Sequence, residues 1–261
     1  MIREPFYELE IKTGNCWIEI LVNNLPVFSN YEDGGMAVDY PINDAIIENG
    51  TQSLEIRLLA SDGTESISRY ADYEVKVFVK EANAEGSGRK LVYEVPQNTD
   101  YKEKPLFIST QKASFRAEIP YKNIGWTDSV DLLDFPKDML LQELKEKLHK
   151  ITAIYNSKNI TDYRKLYNNR VEEHNKSFYL TDEEIRENAE STFSGLPEKL
   201  ESIDWQTYQL VFYGEGKLVS LQTRKQPPGF VFESLNKDEY GFTEMLLFHK
   251  KTNDSPLEII R

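Results

Sequence analysis

Apolar and polar residues alternate with a period of two through the first half of the chain, and the period lengthens near Pro136. Tyr73, Val75, Val77 and Val79 alternate with Glu74, Lys76 and Lys80, and Leu54, Ile56 and Leu58 with Glu55 and Arg57. Alternation of this kind sets one face of a strand on a core and the other in water. Further strands are expected over 6–12, 16–22, 90–95, 107–108 and 115–119, with shorter ones starting at Val27 and Met36. Thr13-Gly14-Asn15 is expected to close the first two into a tight hairpin. Asn23-Asn24-Leu25-Pro26 makes the next turn, and 41–47 forms one or two helical turns ended by Asn49-Gly50. A loop tip is expected at 84–88, and 97–105 is polar loop. Short strands with turn signals roughly every eight to twelve residues predict a β-sandwich.

From Pro136, well placed to open a helix, Leu141, Leu144, Leu148, Ile151 and Tyr155 recur at helical spacing. A break at 156–159 precedes a second helix, capped by Thr161 or its neighbour, which carries Tyr163, Leu166, Tyr167 and Val171 inward. Thr181-Asp182-Glu183-Glu184 is a capping box for a third helix, ended by Gly195 and Pro197. Alternation then returns: Tyr208, Leu210 and Phe212 lead through Gly214-Glu215-Gly216 into 217–223, a hairpin. A break at 226–229, a strand at 230–233, a long strand at 242–250 and an edge strand at 257–260 complete the chain. The predicted fold class is two domains: an N-terminal all-β sandwich (1–125), a linker (126–136), and an α+β domain (137–261) of helices followed by a curved antiparallel sheet.

Composition narrows the function classes. The 261 residues carry a net charge of −13, which disfavours binding to a phosphate backbone and suits a basic partner. No apolar run approaches the roughly 18 residues of a membrane helix. The N-terminus, with acidic residues where a secretory signal has its apolar core, reads as mature cytoplasmic protein. The single cysteine, Cys16, excludes an internal disulfide and a cysteine-rich zinc site, and its setting in an apolar strand reads as a buried inert thiol.

Two stretches have a family look. The order Ile20-Leu21-Val22-Asn23-Asn24-Leu25-Pro26-Val27, then Gly34-Gly35, Asp39-Tyr40-Pro41-Ile42, Glu48-Asn49-Gly50 and Leu54-Glu55-Ile56-Arg57, resembles jelly-roll and carbohydrate-binding sandwiches. The resemblance implies exposed aromatics as sugar platforms; Trp17 and Tyr31 are available, although Trp17 reads as core. Ile154 to Tyr167, read as an opening helix pair ahead of a meandering sheet, resembles the nuclear-transport-factor-like cone fold shared with ketosteroid isomerase. That fold hosts enzymes, binding modules and assembly domains, so it implies architecture and leaves function open.

Candidate chemistry is sparse. His149 and His174 read as exposed helix residues, and His249 ends a strand. Asp128, Asp131 and Asp134 recur every third residue, a spacing that suits either a hard cation or, as read here, acidic residues before the helix at Pro136. No phosphate loop, nucleophile elbow or dinucleotide fingerprint occurs, and no metal or cofactor is expected. Tyrosines in turns beside acidic residues suit a recognition surface, which nominates Tyr31, Glu32, Asp33, Tyr40, Tyr70 and Tyr101 as binding residues. Strand parity nominates Tyr208, Phe212, Phe232, Phe242 and His249 as a pocket on the second sheet. The acidic, two-domain, cytoplasmic type resembles bacterial immunity proteins encoded beside secreted toxins. The expected function is a non-catalytic acidic inhibitor that occludes a basic toxin or effector protein. A small-ligand-binding protein or enzyme on the concave second sheet is the alternative, and a carbohydrate-binding sandwich the third.

Overall fold

The structure, a computed structural model, describes residues 2–83, 88–223 and 229–261. The loop tip expected at 84–88 and the break at 226–229 therefore lie almost wholly outside the described residues. The described chain is an α+β arrangement of antiparallel sheets and helices, and it divides into two compact units. One is Met1–Asn123 with Ser177–Tyr179; the other is Ile124–Lys176 with Leu180–Arg261.

The first unit holds eight strands: β1 (Pro5–Gly14), β2 (Trp17–Val22), β3 (Leu25–Asn30), β4 (Met36–Pro41), β5 (Gly50–Leu59), β6 (Asp72–Glu81), β7 (Lys90–Glu94) and β8 (Ile108–Ala117). They form two four-stranded sheets in the orders β4-β1-β6-β7 and β3-β2-β5-β8. Alternate residues make the core: Leu9, Ile11, Val75 and Val77 from one sheet, and Ile18, Ile20, Leu54 and Ile56 from the other, are all buried. The two layers touch where the Tyr7 ring meets Phe115 at 6.3 Å and where Tyr73 donates to Gln111.

The hairpin expected at Thr13-Gly14-Asn15 does not form. β1 pairs with β4 and β6, while β2 pairs with β3 and β5, so this turn carries the chain from one sheet to the other. Both strands aim apolar residues into the shared core, and an arch achieves that as well as a hairpin. The tight hairpin is at the next turn, where Asn23 and Asn24 both take positive φ (51° and 59°) and Val22 pairs with Leu25. β8 joins two segments read as separate strands. It is an edge strand paired only with β5, and its polar middle faces water, which erases the apolar signal. A single helical turn, α1 (Asp100–Glu103), lies within the expected loop.

The second unit begins with residues 126–136, expected as a linker and found packed into the unit. Trp126 is 4% exposed and Leu132 fully buried. The backbone N–H groups of Val130 and Leu132 bond to the Lys250 and Gly216 carbonyls. Three helices follow: α2 (Lys137–Ser157), α3 (Ile160–Ser177) and α4 (Asp182–Glu190). Leu144, Leu148, Ile151 and Tyr155 of α2 are buried as expected, together with Leu140 and Ile154. Lys158 ends α2 in the left-handed region (φ 50°). The cap of α3 is Asn159, whose Oδ1 accepts the Asp162 N–H at 3.1 Å. The Thr181–Glu184 capping box opens α4, with both reciprocal bonds present.

The strands of this unit are β9 (Gln209–Tyr213), β10 (Leu218–Gln222), β11 (Phe230–Phe232), β12 (Phe242–Glu244), β13 (Phe248–His249) and β14 (Glu258–Ile259). The sheet order is β14-β13-β10-β9, with β11–β12 as a separate pair. The Gly214–Gly216 hairpin is as expected. A Cβ on Gly216 would come within 2.6 Å of the Asp131 carboxylate, so that turn closely abuts the 126–136 segment. The strand expected at 242–250 is instead two, because consecutive Leu246 and Leu247 are both buried and break the alternation. Among the described residues no helix is long and apolar enough to cross a membrane.

Candidate functional site

Three loops meet at one end of the first unit. The Asn15 N–H bonds to the Asp33 carbonyl at 3.2 Å, the Asn15 side chain donates to the Tyr70 carbonyl at 3.4 Å, and Ser61 donates to the Asp33 carboxylate. Tyr31, Glu32 and Asp33 are thereby held beside 61–70. Tyr31 is pinned by donation to Glu19 at 2.6 Å, and its ring lies 5.5 Å from Trp17, itself buried. Tyr70 is 66% exposed, with the Arg69 guanidinium over its ring.

Charge is distributed unevenly over this unit. On the sheet surface the carboxylates are matched: Glu8 with Lys80 and Arg89, Glu10 and Asp39 with Arg89, Glu74 with Lys12 and Lys76. Among the described residues Glu32, Asp33, Asp62 and Glu65, all exposed at the loop end, make no ion pair. These four carboxylates give this end negative charge that no described cation pairs. Tyr40 is removed from it: on the edge strand β4 it pairs with Leu9, is 38% exposed, and meets Phe28 edge-on. Tyr101 offers no surface at all, being 4% exposed and donating to the Ala71 carbonyl at 3.0 Å. Its sequence neighbours are polar because they sit on the outside of the one-turn helix that buries it.

The five aromatic and histidine positions nominated on the second sheet are set against the core. Phe232 and Phe242 stack at 4.8 Å, Tyr208 stacks on Phe230 at 4.8 Å, and Phe212 is half-buried against the same cluster. Tyr208 and Phe232 line a cavity of about 130 Å³ with Asp204 and Glu233, below the usual range for a ligand pocket. His249 is 3% exposed and shares a 2.7 Å hydrogen bond with Ser129 through Nδ1. Burial pushes its pKa below the usual imidazole value of 6.5. The unfolded chain therefore binds the proton more readily, so stability should be full above about pH 6.5 and fall as the pH drops below it. Thermal unfolding of the wild type and of His249→Asn between pH 7.5 and 5.5 checks this: the variant should lose less over that interval. The other two histidines, His149 and His174, are exposed. Cys16 is buried, which pushes its thiol pKa up and fits an inert role.

One polar constellation was missed by sequence reasoning. Glu244, half-buried on β12, accepts the Tyr155 hydroxyl at 2.9 Å and the Tyr167 hydroxyl at 3.0 Å. Burial first, and the Glu244 charge second, push both phenols well up, so both remain protonated donors. Tyr163 stacks on Tyr167 at 4.4 Å. Tyr163, Tyr167 and Glu244 line a cavity of about 770 Å³ between α3 and α4. The usable signal was Glu244 itself, a lone carboxylate inside the run Phe242 to Phe248.

No known protein family, no curated protein and no solved structure matches this chain.

Proposed function

We infer that the protein is a non-catalytic interaction protein, an acidic inhibitor of immunity type that binds a basic toxin or effector protein and occludes it. The carrying observation is the concentration of unmatched carboxylates, Glu32, Asp33, Asp62 and Glu65, beside exposed Tyr70. Rim charges of this kind steer encounter and set the salt dependence of association, while a solvent-facing tyrosine supplies rigid contact area. In this reading the first unit is a β-sandwich domain that carries the recognition surface, and the second is a cone-like α+β domain.

The test is association with the basic protein encoded by the adjacent gene, measured by surface plasmon resonance over a salt series. The Glu32→Lys/Asp33→Lys double variant should associate about tenfold more slowly at low salt. The difference should vanish at 1 M salt, where the screening length is about 3 Å. An association rate indifferent to both salt and charge reversal removes the proposal.

The groove between α3 and α4 favours a second reading, that of a small-ligand-binding protein, since its volume lies within the ~300–1,000 Å³ typical of ligand sites.

A further inference from the structure

We propose that the α3–α4 groove is a binding site for a small monocarboxylate with an apolar body, held by Arg170. The inference is independent of the acidic surface on the first unit and specifies the ligand that the second reading leaves open.

The apolar part of the argument starts from α4. None of its side chains is buried, yet Ile185 and Ala189, four residues apart on one face, are half-buried and line the cavity. An amphipathic helix normally spends such a stripe on the core. Here the stripe faces an open groove whose opposite wall is Val171 and the stacked rings of Tyr163 and Tyr167. An apolar body placed there would cover surface that the fold leaves uncovered.

The polar part rests on which groups already have partners. Both oxygens of Glu244 are occupied by tyrosine hydroxyls. Arg170, half-buried beside them, packs its guanidinium over the Tyr167 ring at 5.8 Å. Among the described residues that guanidinium has no hydrogen bond and no ion pair within 4.0 Å. The Tyr163 hydroxyl likewise makes no hydrogen bond to described residues. The Arg170 charge is balanced at a distance by the Glu244 carboxylate, but its five donors have no acceptor among the described residues. The deep wall therefore offers donors, and its complement is an acceptor.

Charge selects among acceptors. Glu244 lines the same cavity, so a dianion would meet its repulsion, whereas one carboxylate gives Arg170 a bidentate partner and leaves Glu244 with its two phenols. Asp182, Arg164, Arg186 and Glu190 are exposed at the rim, where water screens them.

The experiment is calorimetric titration of the full-length protein with 4-phenylbutyrate, 4-phenylbutylamine and inorganic phosphate. The carboxylate should bind with at least tenfold preference over both others. Arg170→Met, which keeps the apolar stem, should weaken binding at least tenfold. Ala189→Trp, which fills the groove from an exposed helix without touching Arg170, should abolish it and guards against misfolding of the first variant. Preferred binding of the amine, binding unaffected by either variant, or no binding of the carboxylate each overturns the proposal.

Discussion

Phe230→Ala is expected to destabilise the protein by about 3–5 kcal/mol, the range for removing a large aromatic from a packed core. Phe230 is fully buried on β11. Its ring stacks on Tyr208 at 4.8 Å, meets Phe232 at 4.9 Å edge-on and lies 6.3 Å from Trp205. These neighbours come from the 205–208 segment and from β11 itself, and they cannot all collapse into the space vacated. Phe230→Leu keeps much of the volume and should cost far less, about 1–2 kcal/mol. Urea unfolding followed by tryptophan fluorescence measures both, because Trp205 is part of the cluster. A loss for the alanine variant no larger than that for leucine would show that the cluster is loosely packed. Against a typical total of about 5–15 kcal/mol, the alanine change removes a large share of the folding free energy.

Glu173→Ala should have a comparable effect by another route. Glu173 Oε1 accepts the N–H groups of Ile124 and Gly125, each at 3.0 Å, and Oε2 accepts from Arg261 at 2.8 Å. The side chains of Glu173 and Arg261 are only 13% and 7% exposed, and the guanidinium also lies over the Trp126 ring at 5.5 Å. Removing the carboxylate takes an acceptor from two backbone donors and the counter-charge from a buried cation. Such deletions cost about 3–5 kcal/mol. Glu173→Gln retains one acceptor oxygen and should lose clearly less. Equal losses for the two variants in the same unfolding assay would assign the effect to the charge alone.

Much of the fold was legible because strand and helix periods differ and the terminators are chemically distinct. Asn23-Asn24 and the Thr181–Glu184 box each have one low-energy backbone solution, and both formed. Where the reading failed, the local signal was real but did not encode the partner. Thr13-Gly14-Asn15 permits a reversal, and nothing within those residues says which sheet receives the next strand. The middle of β8 is polar because it is an edge, so its pairing with β5 left no apolar trace. Trp126 and Leu132 looked like linker residues because their burial depends on strands some eighty or more residues away in sequence.

The candidate sites divide in the same way. The loop carrying Tyr31, Glu32 and Asp33 could be nominated from composition, but its juxtaposition with Tyr70 rests on two hydrogen bonds from Asn15. Tyr101 and Tyr70 were nominated alike, from acidic residues close in sequence, and have opposite fates, since one is buried and the other is 66% exposed. The Glu244 network joins α2, α3 and β12, so only the folded chain assembles it.

The arch between β1 and β2 has a kinetic consequence. Because β1 finds its neighbours in β4 and β6, and β5 finds its outer neighbour in β8, most of this unit's ladders cannot zip outward from a short turn. Among the described residues of this unit only the β2–β3 ribbon closes over two residues, which makes it the natural nucleus. The remaining strands must then be recruited across long loops whose closure entropy is lost before any contact repays it. Folding is accordingly placed in the millisecond-to-second regime of non-local β topologies, with β4 and β7 open as sheet edges while it proceeds.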